Sequence, residues 1–464
     1  MEKAFHPLDP LAEALALTSC GNVKNLVFGA AELEGALDEK AVRSALRRIE
    51  EEFPHLTMHL KEAKQGRKHY VGWDRHFRRE IPLVVLNGDR APQTGCSLQR
   101  ALHYLRPEME RPCDLLNEPL CTVFVLEQAA ERYMIAFFCS HVAADAITAM
   151  EIAKRFMIHY HELATGQKPP FADAPLAAST IRKRAVPKTK TVWKDYWFTF
   201  RQAMIPYRVK CTLPGGDASP AEQGEHHVKR ALTPELSQQV LVESSQKRSS
   251  LVDHLLGTMS EAVDCWNAGR GVKSGTITAA LTVNMQGRFE DMEGPNSDSV
   301  LYFVLKPEER KDSRTLARCI ALSRIRQLRD RMDWKYYRAI AKLNHFFRVF
   351  PFSQRQRIFG EMLRRHQTSF ALGFMGTIWP TTNQRVMTER SGIESSGGLT
   401  ISEVHGAPYK LVSRTPLYLS AYFFRQRLNL VLSAAGWHFT RQNTEDFLDL
   451  IVELLAPRSG REQG

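Results

Sequence analysis

Apolar and polar positions alternate along the chain in a way that predicts strands interleaved with helices. Residues 23–33 contain the apolar run Leu26-Val27-Phe28 and read as a strand. Asp38 then stands where a helix N-cap belongs. Ala41, Ala45, Leu46, Ile49 and Phe53 follow at spacings that give one buried face, and Pro54 ends the helix. Two apolar runs, 121–126 and 133–139, flank the polar stretch 127–132 and predict a hairpin or two adjacent strands. A helix over 146–163 follows, carried by Ile147, Met150, Ile152, Phe156 and Met157.

The pattern breaks between about 165 and 225. Gly166-Gln167-Lys168-Pro169-Pro170 opens a loop, 182–190 is a basic run, and Leu213-Pro214-Gly215-Gly216 is rich in turn formers. Trp193, Trp197 and Phe198 within this stretch predict a docked helix. Beyond it the alternation resumes. A strand from His227 to Leu232 precedes helices over 236–242 and 251–266, then strands over 276–283 and 300–305. A long basic helical stretch spans 312–350. Strands over 417–424 and 428–435 and an amphipathic helix over 444–455 complete the pattern. The two halves share a loose layout, so the chain reads as a duplicated α/β architecture. Its expected parts are an N-terminal unit of 1–175, a crossover of 176–225 and a C-terminal unit of 226–464.

A chain of 464 residues, 43% hydrophobic and 25% charged, is long and apolar enough for two cored domains. It contains no apolar run of the roughly 18 residues that a transmembrane helix requires. Its start, Met1-Glu2-Lys3-Ala4-Phe5-His6-Pro7, lacks the features of a secretory signal. A cytoplasmic location is therefore expected. The eight cysteines show no CxxC spacing and no pairing with histidines, so free thiols and no metal are expected. His159 and His161, with Glu162, point to different faces of one helix and make a poor metal site. The net charge of +12 would suit a polyanionic partner, but no nucleic-acid-binding module and no phosphate-binding glycine loop is present.

One short motif carries chemistry. His141-Val142-Ala143-Ala144-Asp145 falls where a strand ends and a helix begins. A histidine there with Asp145 as a helix N-cap is one reading, and a general base in a site is the other. Upstream stand Arg111-Pro112-Cys113-Asp114-Leu115 and Pro119-Leu120, before the predicted hairpin. This order resembles the superfamily of condensation domains and coenzyme-A-dependent acyltransferases, with its "PFDL…PL" segment, hairpin and HHxxxDG motif. Leu33-Glu34-Gly35-Ala36-Leu37-Asp38 and Phe53-Pro54-His55-Leu56 are similar to the family's opening segments. Val283-Asn284-Met285-Gln286-Gly287-Arg288 resembles its arginine-bearing strand, and the segment 373–379 a strand beside its site. Two positions depart from the motif: Ser140 replaces its first histidine and Ala146 its glycine.

The resemblance implies an α/β fold of two chloramphenicol-acetyltransferase-like subdomains in a V arrangement, with His141 between them as the general base. It also implies a structural ion pair between Asp145 and Arg288. Imidazole, with a pKa near about 6.5, is largely free base at neutral pH and suits removal of a proton from an attacking hydroxyl. The expected activity is acyl transfer from a thioester, on coenzyme A or the phosphopantetheine arm of an acyl carrier protein, to a hydroxyl acceptor. Amide formation between carrier-bound substrates and a non-catalytic binding scaffold are the alternatives. No permanently bound cofactor is expected. The expected partners are a small-molecule acceptor and an acidic carrier protein, bound by a monomer. The donor's negative charge would meet Arg182, Lys183, Arg184, Lys188 and Lys190, or the basic helix holding Arg324, Arg326, Arg329 and Arg331.

Overall fold

Apolar strands from the two halves form two separate six-stranded sheets, each covered by helices. The computed structural model describes residues 5–19, 25–87, 102, 105–107, 114–168, 197, 200, 201, 203–217, 224–285, 296, 298–378, 395, 396, 398–409 and 414–456. The first half runs β1 (Phe5–Pro7), α1 (Pro10–Thr18), β2 (Leu26–Glu34), α2 (Glu39–Glu52), β3 (Met58–Gln65), β4 (Lys68–Arg78), β5 (Leu83–Asn87), β6 (Cys121–Ala129), β7 (Arg132–Ser140) and α3 (Ala146–Thr165). After the crossover come β8 (Glu225–Ala231), α4 (Pro234–Gln246), α5 (Leu251–Ala268), β9 (Ile277–Asn284) and β10 (Asp298–Leu305). Then follow α6 (Ser313–Arg329), α7 (Met332–Phe347), α8 (Phe352–Arg365), β11 (Phe370–Thr377), β12 (Ser395–Ser396), β13 (Leu399–Tyr409), β14 (Leu417–Phe424), β15 (Arg427–Ala435) and α9 (Arg441–Leu455).

Local sequence accounts for these elements. The Asp38 carboxylate accepts from the amides of Lys40 and Ala41 and starts α2, which buries Ala41, Val42, Ala45, Leu46 and Ile49. Phe53 ends α2 because Pro54 cannot continue it. β6 and β7 form the expected hairpin, in register from Cys121 opposite Cys139 outward, and Glu131 takes the left-handed turn at φ 57°. Cys121, Cys139, Cys211, Cys265 and Cys319 are free thiols.

The duplication extends to individual hydrogen bonds. In the first half β2 pairs antiparallel with β7, β7 with β6, and β5 lies parallel to β6. In the second, β8 pairs antiparallel with β15, β15 with β14, and β11 lies parallel to β14. At the end of β7, the His141 amide donates to the Asn25 carbonyl just before β2; at the end of β15, the Gly436 amide donates to the Gly224 carbonyl just before β8. Ser140 bonds back to Leu120 as Ala435 does to Pro416. The helix that follows is capped by Asp145 in one half and Thr440 in the other. Gly436 thus occupies the place of His141, and only one of the two junctions carries an imidazole there.

The halves do not part cleanly. β12 and β13, from late in the chain, join the first sheet, with β13 antiparallel to β2. Glu13 of α1 is fully buried against Arg355 of α8 at 2.6 Å and Arg348 at 2.6 Å, a charge cluster that ties the chain's start to its second half. Lys229 of β8 reaches across to Glu403 of β13 at 3.2 Å and to the Val404 carbonyl at 2.9 Å. The expected docking of the crossover through aromatics is not seen at Trp197. Its side chain is 57% exposed and stacks on Phe200, which is itself exposed. Trp193, Phe198 and the basic run 182–190 lie outside the described residues.

Candidate functional site

The loop that carries His141 is built from small buried side chains. Val142, Ala143 and Ala144 are fully buried, and the amides of Ala143 and Ala144 bond the Ser140 carbonyl, making a tight turn off β7. The Ser140 hydroxyl accepts from the Val142 amide. Asp145 is buried completely, and its carboxylate accepts from the Thr148 amide at 2.7 Å, so it caps α3 as the residue type predicts. Ala146 is the first helical residue and is absent from the non-glycine residues with positive φ among those described, so the methyl in place of glycine causes no backbone strain. His55, from the segment after α2, bonds the backbone of Ala143 and braces the same turn; burial pushes its imidazole down to about 4.

His141 meets a partner from the other half of the chain. Its Nδ1 lies 3.1 Å from the Asn296 Oδ1. Asn296 is itself buried, and its Nδ2 donates at 2.8 Å to the Val142 carbonyl. A carbonyl only accepts, so this bond fixes which way the amide points and leaves Oδ1 facing the imidazole. An amide oxygen also only accepts, so Nδ1 carries the proton. Nε2 is then the nitrogen with a free lone pair.

A cavity of about 280 Å³ lies between the two sheets, with His141 in its wall. Its first-half side is apolar. Leu11 and Leu15 lie one turn apart on α1, and Ala146, Met150, Ala153 and Met157 form a stripe along α3. Val27, Phe28, Ile135 and Phe137 from β2 and β7 complete that side. The second half contributes the polar side. Thr282 and Asn284 of β9, Asp298 of β10, and Tyr418 and Ser420 of β14 recur with the two-residue period of strands. Gly373 of β11 has a specific use here, because a Cβ on it would fall 2.4 Å from the Tyr418 hydroxyl. Without that Cβ, the hydroxyl lies 3.2 Å from the Thr282 hydroxyl.

No protein-family model and no curated relative matches the sequence. Solved structures do match, over nearly the whole chain. The first condensation domain of the CDA synthetase has a TM-score of 0.64 at 13% identity, covering 98% of this chain and 97% of its own. SgcC5 from Streptomyces globisporus, in complex with (R)-(-)-1-(2-naphthyl)-1,2-ethanediol and sucrose, gives 0.64 at 14%, covering 97% and 98%. A mutant starter condensation domain of rhizomide synthetase, in complex with C8-CoA and Leu-SNAC, gives 0.63 at 14%, covering 97% and 94%. The chain has the condensation-domain fold. Its two chloramphenicol-acetyltransferase-like halves correspond to the pseudo-repeat of β2-β7-β6-β5 and β8-β15-β14-β11.

Within this fold, the residues singled out in the sequence fare differently. His141 lines the cavity, and Asp145 lies behind it at the helix start. Arg288, expected to pair with Asp145, lies outside the described residues. The segment after Gly373 does run beside the site: Gly373, Phe374, Met375 and Ile378 all line the cavity. Arg324 is engaged in the core rather than free on the basic helix, with a bidentate bond to the buried Asp253 at 2.7 and 2.9 Å. Arg326 and Arg329 of α6 are exposed. His159 bonds Glu52 of α2 at 2.9 Å.

Three features escaped the sequence. Asn296 is separated from His141 by 155 positions, and a polar residue ahead of the apolar strand 300–305 was its only signal. His405, in the cavity wall, bonds Glu32 at 2.5 Å and lies near Glu403. Those three side chains have the chemistry of metal ligands, but the Lys229 ammonium stands 3.2 Å from Glu403 and 3.4 Å from His405 Nδ1 and supplies the cation. Third, carboxyl groups gather near the loop. Asp9, capping α1, is raised to about 6, by burial first and by the charges of Asp145 and Glu13. Asp298 is held well above the usual carboxylate range by burial and Asp145.

Proposed function

We propose that the protein transfers an acyl group from a thioester to a hydroxyl acceptor, with His141 as the general base. The observation that carries this reading is the His141–Asn296–Val142 chain of bonds, which frees Nε2 inside a cavity that is apolar on one side and polar on the other. The acyl chain would lie along α1, α3 and β2, and the acceptor along β9, β10 and β14. Nε2 takes the hydroxyl proton as the oxygen attacks the thioester carbonyl. The tetrahedral intermediate then collapses, the carbon–sulfur bond breaks, and the imidazolium returns the proton to the departing thiolate. No covalent enzyme intermediate is needed, because a thioester is already activated. Asp145 holds the loop through its cap on α3, and an ion pair with Arg288 would anchor it further.

The ligands bound in two fold neighbours support the reading: C8-CoA for an acyl-coenzyme A donor, and an aryl ethanediol for a hydroxyl acceptor. Coenzyme A or a carrier-borne phosphopantetheine would supply the thioester, and exposed Arg326 and Arg329 suit an acidic donor. The test is incubation with octanoyl-coenzyme A and a panel of primary alcohols and amines, with products read by mass spectrometry. Octanoyl esters are expected. Thiol release with amide products alone, or no release with any acceptor, would overturn the proposal.

A further inference from the structure

The corner where α7 runs into α8 leaves large apolar side chains in water. Phe346 is 70% exposed, Val349 52% and Phe350 38%. Their neighbours are firmly held. Asn344 is buried and donates to the Pro10 carbonyl of α1 at 2.7 Å, Phe347 meets Phe359 edge-on at 5.8 Å, and Phe352 is buried. Phe347 also touches both Phe346 and Phe350, so the exposed rings belong to one patch on a fixed corner. An exposed apolar patch of this kind marks an interaction surface.

A basic hairpin lies beside it. β3 and β4 turn at Gly66, φ 59°, and the turn carries Lys64, Arg67 and Lys68. The Lys68 ammonium donates to His345 Nε2 at 2.7 Å and the His69 amide to the Arg348 carbonyl at 2.6 Å, so hairpin and corner are bonded together. Lys64 and Arg67 are exposed, as is Lys342 one turn before Phe346. The nearby carboxylates point inward: Glu62 accepts from the Phe352 amide at 2.8 Å and bonds His69 at 2.9 Å, and Glu13 is buried against Arg348 and Arg355. The outer surface therefore combines phenylalanine rings with an excess of cations.

We infer that this corner docks the protein on an anionic lipid bilayer, with Phe346 and Phe350 entering the boundary of the acyl chains and Lys64, Arg67 and Lys342 meeting the headgroup phosphates. An apolar knob ringed by cations suits a lipid interface, which takes up rings without a matching pocket and holds the charges at its surface. Phenylalanine offers no hydrogen bond, whereas the anchors of protein interfaces are enriched in Trp, Tyr and Arg seated in pockets. The placement bears on the cavity, because α1 lies between the two: Leu11 and Leu15 line the cavity, and Glu13 holds Arg348 and Arg355 of the corner.

The inference does not rest on acyl transfer, and its test needs no turnover. The full chain is sedimented with vesicles of phosphatidylcholine alone and of phosphatidylcholine mixed equally with phosphatidylglycerol. Affinity for the mixed vesicles should be about tenfold higher or more, and should fall as salt rises. The double variants Phe346→Ser with Phe350→Ser, and Lys64→Glu with Arg67→Glu, should each lower it by about tenfold or more, with folding checked by circular dichroism. If the first is unfolded, Phe346→Ser alone, at the most exposed ring, takes its place. None of these residues lines the cavity of His141, so the variants should keep any thiol release from octanoyl-coenzyme A in the absence of vesicles. No binding to mixed vesicles, equal binding to both kinds, or binding that survives either substitution would overturn the inference. So would binding to soluble polyglutamate that matches the vesicles and ignores the phenylalanines, the outcome expected of a face for an acidic protein.

Discussion

His141 and Asn296 come from opposite halves of the chain, and the 3.1 Å contact between them decides which imidazole nitrogen faces the cavity with a lone pair. The amide cannot turn over without losing its bond to the Val142 carbonyl. The orientation of the imidazole therefore depends on how the two halves fit together.

Asn296→Leu keeps the volume of the side chain and removes the acceptor. The imidazole would then be free to adopt the other tautomer and to rotate. We expect kcat to fall on the order of 10²-fold with KM nearly unchanged, since the acceptor's own contacts remain. Asn296→Asp, which retains an acceptor for Nδ1, should keep more activity than Asn296→Leu. Steady-state kinetics on both variants checks this, and wild-type kcat in the leucine variant would contradict it.

Two capping aspartates near the site should respond to asparagine in opposite ways. Asp9 accepts from the amides of Leu11 and Ala12, each at 2.9 Å, and its pKa is raised from the usual 3.8 to about 6. A carboxyl raised on folding binds more protons in the native state than in the unfolded one between those values. Stability is therefore lost as pH rises from about 4 to about 6, and the penalty is complete above that window. Asparagine caps equally well and carries no charge. Asp9→Asn should raise unfolding stability at pH 7.5 by on the order of 1 kcal/mol and give no gain at pH 4. Denaturant titrations at the two pH values test the sign.

Asp145 should behave otherwise. As a cap alone it would tolerate asparagine at little cost. With Arg288 as its ion-pair partner, asparagine would leave a buried cation uncompensated and cost roughly 3–5 kcal/mol. Chemical denaturation of Asp145→Asn separates the two cases, and a loss below about 1 kcal/mol would contradict the pair.

The sequence disclosed what depends on near neighbours. α2 was legible from Asp38 and its buried stripe, the β6–β7 hairpin from two apolar runs, and α3 from its helical period. The motif at 141–145 could be placed at a strand–helix junction for the same reason. What it withheld depends on distant positions. β13 reads as part of the second half but completes the first half's sheet, because pairing with β2 depends on tertiary packing rather than local pattern. Arg324 looks like surface charge until Asp253, 71 positions away, is seen beneath it. Asn296 and Asp298 are unremarkable polar residues in sequence, and only the fold brings them to the cavity of His141.

The apolar side of the cavity should set the length of the acyl group. Ala153 lines it from α3, and Ala153→Phe would fill space that a long chain occupies. The ratio of kcat/KM for octanoyl- over acetyl-coenzyme A should drop about tenfold or more, since crowding by several carbon atoms exceeds the effect of one methylene. An unchanged ratio would move the acyl chain elsewhere.

The central claim is that His141 is the base. Its most direct test is the rate of thiol release from octanoyl-coenzyme A, with acceptor present, by the wild-type protein and by His141→Ala, with circular dichroism and Tm measured on both. The variant should fold normally, since the His141 amide rather than its ring bonds Asn25, and should lose on the order of 10²–10⁴-fold in rate. Equal rates from two equally folded proteins would contradict the account.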